Sequence, residues 1–61
     1  MRYKVIINWY GEILTFYTKA TSEEIALSNA IIQCAKKVGW SRWSVRNYIK
    51  DENYRRWEVI K

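Results

Sequence analysis

AKKVGWSRWSVRNYIKD, residues Ala35–Asp51, admits two backbones, and the architecture of the chain turns on which one it takes. Read as a helix capped by Ser41, it places Val45, Tyr48 and Ile49 on one side and Arg42, Trp43, Arg46, Asn47 and Lys50 on the other. Read as a strand, it buries Trp43, Val45, Asn47 and Ile49 together, which sets an amide inside a core where it must find partners. The helix avoids that burial, whereas the aromatic and β-branched content favours the strand.

Upstream the pattern is clearer. Thr21-Ser22-Glu23-Glu24 has the form of a capping box, with Thr21 accepting from the Glu24 amide, the Glu24 side chain reaching back, and Ala20 stapling against Ile25. A helix is therefore expected to run to Val38. Ile25, Leu27, Ser28, Ile31, Ile32, Cys34, Ala35 and Val38 fill one half of its wheel, with Ser22, Glu23, Asn29, Gln33, Lys36 and Lys37 on the other. Gly39 suits the residue just past the helix end, and Lys36 and Lys37 suit the negative end of its dipole.

Before that helix, Tyr3, Val5, Ile7 and Trp9 alternate with Arg2, Lys4 and Asn8, and Leu14 and Phe16 alternate with Ile13, Thr15 and Tyr17. Both runs have the period of a half-buried strand. A two-residue turn at Tyr10-Gly11, with a positive φ at Gly11, sets Ile7 opposite Leu14 and Val5 opposite Phe16. Arg2, Lys4 and Tyr17 then share the other face, as an exposed sheet surface or an accessory contact. Beyond the central stretch, Asp51-Glu52-Asn53 reads as a turn. Tyr54–Ile60 reads as a strand, with Trp57 and Val59 on one face, that rejoins the hairpin or pairs with an extended 42–50 segment. The expected fold is α+β: an N-terminal β-hairpin, one long helix, a short helix or strand, and a C-terminal strand, ββααβ or ββαββ. Residues 1–61 form a single small domain, since no proline, low-complexity tract, repeat or linker divides them.

A chain of this size buries only about 60% of the surface its unfolded form exposes. The core is thin, and four tryptophans and five tyrosines supply much of the area it can bury. Folding alone and forming a homodimer that adds buried surface are both compatible with it. Cys34 is the only cysteine, which excludes an internal disulfide and suits a packing residue in a reducing compartment. The apolar run Val5-Ile6-Ile7 is far too short for a signal h-region or a membrane span, so an intracellular, cytoplasmic protein is expected, within a host cell if it is viral.

Charge is uneven along the chain. Up to Ala35, Arg2, Lys4 and Lys19 are cancelled by Glu12, Glu23 and Glu24, so the formal net charge of +5 resides in the segment from Lys36 to Lys61. That asymmetry suits a face that meets a polyanion, although a solvated basic surface produces the same count.

Ala35, Gly39 and Val45 also stand at the spacing of a known motif. Residues 31–50 resemble the helix-turn-helix of bacterial and phage repressors, in which a small residue lets the second helix pack closely, a glycine turns the chain and a later Val or Ile anchors the second helix. Val38 and Trp40 occupy the apolar places flanking the glycine, Ser41 the usual cap, and Tyr48 the second anchor, where an aliphatic residue is commoner. The resemblance implies DNA binding, with Ser41, Arg42, Trp43, Arg46, Asn47 and Lys50 presented to the duplex. Such repressors usually have a further helix packed across the pair; here the hairpin sheet would supply that support.

The residue chemistry agrees with this in part. Arg42, Arg46 and Lys50 recur every four residues, as one stripe suited to phosphates or guanine edges, and Asn47 suits adenine. Ser41 and the helix start can offer donors to a phosphate. Lys36, Lys37, Arg55 and Arg56 add phosphate contacts. Trp43 suits single-stranded stacking or a protein interface better than a major groove.

The expectation is a small basic nucleic-acid-binding protein, for duplex DNA first and RNA or single strands second, of the phage or mobile-element accessory type. The alternative is a small phage-type inhibitor that docks on a host protein or nuclease complex through Trp40, Trp43, Tyr54 and Trp57. No enzyme is expected, and no metal or cofactor: histidine is absent, there is no second cysteine and there is no glycine-rich phosphate loop. Glu23 and Glu24 are explained by capping, and Asp51 and Glu52 by a turn.

Overall fold

The computed structural model describes residues 1–60; Lys61, counted in the charge above, lies outside them. The order of elements is β1 (Arg2–Trp9), β2 (Glu12–Lys19), α1 (Glu23–Val38), α2 (Arg42–Tyr48), a 3-10 turn at Glu52–Tyr54 and β3 (Arg55–Ile60). The fold is thus ββααβ, and the central stretch takes the helical backbone. The strands form one antiparallel sheet in the order β2-β1-β3, so the C-terminal strand returns to the hairpin, on the free side of β1.

The hairpin has the register its alternation predicts, with Val5 opposite Phe16 and Ile7 opposite Leu14. Its turn has positive φ at both central residues, 51° at Tyr10 and 86° at Gly11. This is the backbone that matches the twist of a two-residue hairpin. Asn8 Oδ1 accepts from the Gly11 amide at 2.9 Å and fastens it.

One face of the sheet is covered by the helices. Tyr3, Val5, Ile7, Trp9, Leu14 and Phe16 are buried there, against Ala26, Ala30, Ile31, Cys34 and Ala35 of α1 and Val45 and Ile49 from the α2 segment. The buried stripe of α1 differs from the expected one. Ile25 is exposed and Ala26 and Ala30 are inside, because small side chains let the helix sit close to a sheet already filled by aromatics. The cap differs as well: Ser22, not Thr21, precedes the helix, and its Oγ accepts from the Ile25 amide at 3.3 Å. Ala20 is held by Met1 through two backbone bonds, at 2.9 and 3.0 Å. That pairing extends the hairpin ladder by one step and delays the helix by one residue.

Among the described residues no helix covers the other face of the sheet. Arg2, Lys4 and Tyr17 lie on it as expected, joined by Lys19 opposite Arg2, and by Arg56 and Glu58 from β3.

Candidate functional site

The α1–turn–α2 unit is built by three positions. Gly39 takes the left-handed conformation at φ 75°, and its amide and that of Trp40 both donate to the Ala35 carbonyl, at 2.9 and 3.1 Å. Ala35 is buried where the chain folds back. Ser41 opens α2: its Oγ accepts from the Ser44 amide at 3.1 Å and donates to Ser44 Oγ at 2.8 Å. Val45 and Ile49, at 0% and 1% exposure, then pin the segment inward. Burying two such side chains contributes about 1.5–3 kcal/mol each.

This anchoring turns the polar side of α2 outward. Arg42, Trp43, Arg46 and Asn47 are all exposed, and Trp43 is 73% exposed. Among the described residues no ion pair forms within 4.0 Å, so none of their carboxylates pairs with these cations. Arg46 Nη2 donates instead to Ser28 Oγ on α1, at 3.4 Å. Trp43, Arg46, Asn47, Lys50 and Arg55 line an open groove of about 390 Å³, together with Leu27 and Ile31 of α1. A second groove, of about 460 Å³, flanks the start of α2 and is lined by Lys36, Trp40, Ser41 and Arg42.

Two expectations need correction. Arg42, Arg46 and Lys50 do not form one helical stripe, because α2 ends at Tyr48, Ile49 caps it and Lys50 lies beyond the helix. The first cation borders one groove and the other two border its neighbour. Ser41 and the helix start are not an open donor site either, since the Ser41 hydroxyl is engaged with Ser44 and α2 is only seven residues long.

Arg55 is placed differently from the rest. Its Nη1 donates to the carbonyls of Ile49 and Lys50, both at 2.7 Å. A guanidinium there satisfies carbonyls left open at the end of α2 and lies at the negative end of its dipole. Its Nε is buried with no hydrogen-bond partner among the described residues. Arg56 lies on the open sheet face, away from α2, and Lys37 is exposed on the last turn of α1.

The aromatic residues form a clasp that the sequence did not announce. Trp9, Tyr10, Trp40 and Tyr48 pack edge-on or stacked, and Tyr48 lies between Tyr10 and Tyr54, at ring separations of 4.2 and 5.0 Å. The clasp ties the hairpin turn, the interhelical turn and the segment before β3 together. It explains an aromatic residue at the second anchor of α2. Of the four aromatics expected as docking anchors, Tyr54 and Trp57 are half-buried and Trp40 packs on Trp9, which leaves Trp43 the most exposed.

Cys34 is fully buried, and burial pushes its thiol pKa up, with Lys37 opposing in part. Among the described residues no group of three or more Cys, Asp or Glu is placed to hold a metal ion, and no helix is long and apolar enough to cross a membrane. Comparison with known protein families, with curated proteins and with solved structures finds no match to the chain.

Proposed function

We propose that this protein is a non-enzymatic nucleic-acid-binding module that meets duplex DNA with the outward face of α2. The observation that carries the reading is the split of the α2 segment: Val45 and Ile49 are sealed inside, while Arg42, Arg46, Asn47 and Lys50 face outward with no carboxylate partner among the described residues. Arg46 and Asn47 supply base-edge contacts, and Lys36, Arg42 and Lys50 supply phosphate contacts on either side. The sheet under α1 takes the supporting role that a further helix has in repressors. Arg55 drops out of the contact set because its guanidinium is engaged at the end of α2.

The test is fluorescence anisotropy of labelled random duplex against salt. The wild-type chain should bind at low salt and release as salt rises. Changing Arg42 and Lys50 together to Ala should flatten the slope of log K against log salt by about two, roughly one for each cation removed from the DNA backbone. Unchanged affinity and slope would remove α2 as the binding face.

A second reading has its own observation. Trp43 stands beside Arg46 in a groove also lined by Leu27 and Ile31, the mixture of aromatic, arginine and aliphatic surface that forms protein-binding hot spots. On that reading Trp43→Ala abolishes capture of a protein partner, and the chain is indifferent to DNA at every salt concentration.

A further inference from the structure

The two edges of the sheet are finished differently. On the β2 edge, Gln33 Nε2 donates to the Tyr17 carbonyl at 3.3 Å and Asn29 Nδ2 to the Lys19 carbonyl at 3.4 Å. Side chains from α1 therefore occupy the outward acceptors of that strand. On the β3 edge no side chain among the described residues bonds to a strand backbone group, and β3 contains no proline to block pairing. An open edge of this kind is a template for another strand unless something prevents it.

The side chains of β3 choose which strand. Arg56 and Glu58 lie on the open face of the sheet, and Trp57 between them lies on the helical side. When two copies of β3 pair antiparallel about Trp57, Arg56 of each copy stands opposite Glu58 of the other. The neighbouring registers that keep both helical layers on one face centre the pair on Arg56 or on Glu58, and so set a charge opposite its own kind. Opposite charges across a pair are favourable and like charges unfavourable, so one register is selected and its neighbours are rejected. Trp57 then meets its counterpart on the helical side, beside Val59, which is 43% exposed in a single chain.

We infer that the partner of the β3 edge is a second copy of this chain, joined through an Arg56–Glu58 register into a continuous six-stranded sheet, β2-β1-β3-β3-β1-β2. Its two-fold axis runs normal to the sheet, so both helical layers lie on one side and the open face is continuous on the other. This inference stands apart from nucleic-acid binding, because it uses no residue of α2.

Sedimentation equilibrium of the full chain at sub-millimolar concentration and low salt tests it. The wild-type chain should form dimers. Arg56→Glu and Glu58→Arg, each alone, set like charges opposite in both pairs and should weaken the dimer by on the order of tenfold or more. Mixed with each other, these two variants restore both opposite-charge pairs and should form a one-to-one heterodimer, and the double variant R56E/E58R should dimerise like the wild type. Circular dichroism of each variant verifies that it is folded, and the double variant shows that both substitutions are tolerated. A wild-type chain that stays monomeric, or a dimer that ignores single reversal, overturns the proposal.

Discussion

Tyr10 stacks on Tyr48 with ring centroids 4.2 Å apart at 22°, and the Tyr10 amide donates to the Tyr48 hydroxyl at 3.2 Å. A non-glycine residue at φ 51° costs about 1–2 kcal/mol of backbone energy, and this contact with α2 offsets it. The hairpin turn and the second helix are therefore one cooperative unit. Tyr48→Phe keeps the stack and loses the hydrogen bond, and should lower stability by about 1 kcal/mol in urea denaturation. Tyr48→Leu, the aliphatic choice usual in repressors, removes the stacking on Tyr10 and Tyr54 as well and should cost about 2 kcal/mol or more.

Arg55 makes a different kind of junction. Its guanidinium ties the first residue of β3 to the end of α2. Arg55→Met preserves the stem and removes the donors, and should destabilise the fold by about 1.5–3 kcal/mol, as expected for a charged group bonded to carbonyls. If Arg55 contacts no phosphate, the same variant leaves the salt slope of DNA binding unchanged. A slope flattened by one would return it to the interface.

Gly39 tests the turn between the helices. A Cβ placed there meets no atom within 4 Å, so the cost of Gly39→Ala is conformational alone, about 1–2 kcal/mol at φ 75°. Gly39→Asn should cost less, because Asn tolerates the left-handed region. Thermal unfolding of the two variants beside the wild type gives the comparison.

These junctions separate what was legible in the sequence from what was not. Alternation fixed which residues of β1 and β2 face the core, and Tyr10-Gly11 fixed their register, because both signals are local. Val45 and Ile49 identified the buried side of the α2 segment for the same reason. The cap moved from Thr21 to Ser22 because adjacent hydroxyl residues compete on equal local terms, and a long-range pairing of Met1 with Ala20 decides between them. Arg55 looked like any basic residue of a basic segment, and its role exists only once β3 passes the end of α2. Within the candidate site, Arg42, Trp43, Arg46 and Asn47 were readable from helical spacing. The separation of Arg42 from Lys50 was not, since it depends on where the helix stops.

Cys34 links stability to pH. Its thiol titrates above the ordinary value of 9.0 in the native state, because burial disfavours the thiolate. At higher pH the unfolded chain releases this proton while the native chain holds it, so the native state binds more protons. The contribution is intact below the ordinary value and is lost as pH rises from there through the raised native one. Cys34→Ala should flatten the fall in stability as pH rises above the ordinary value of 9.0, measured by urea denaturation at each pH. An identical pH dependence in the variant would show that the thiol is not shielded.

The most direct measurement of the central claim is a titration of the isotope-labelled protein with a short DNA duplex at low salt, read by amide and side-chain chemical shifts. Binding through α2 predicts shifts concentrated on residues 41–50 and on Lys36, with the Trp43 indole, the Arg46 guanidinium and the Asn47 amide among the largest, and with Arg55 and the open sheet face quiet. Shifts confined to Arg2, Lys4, Tyr17 and Lys19, or none at all, would contradict it.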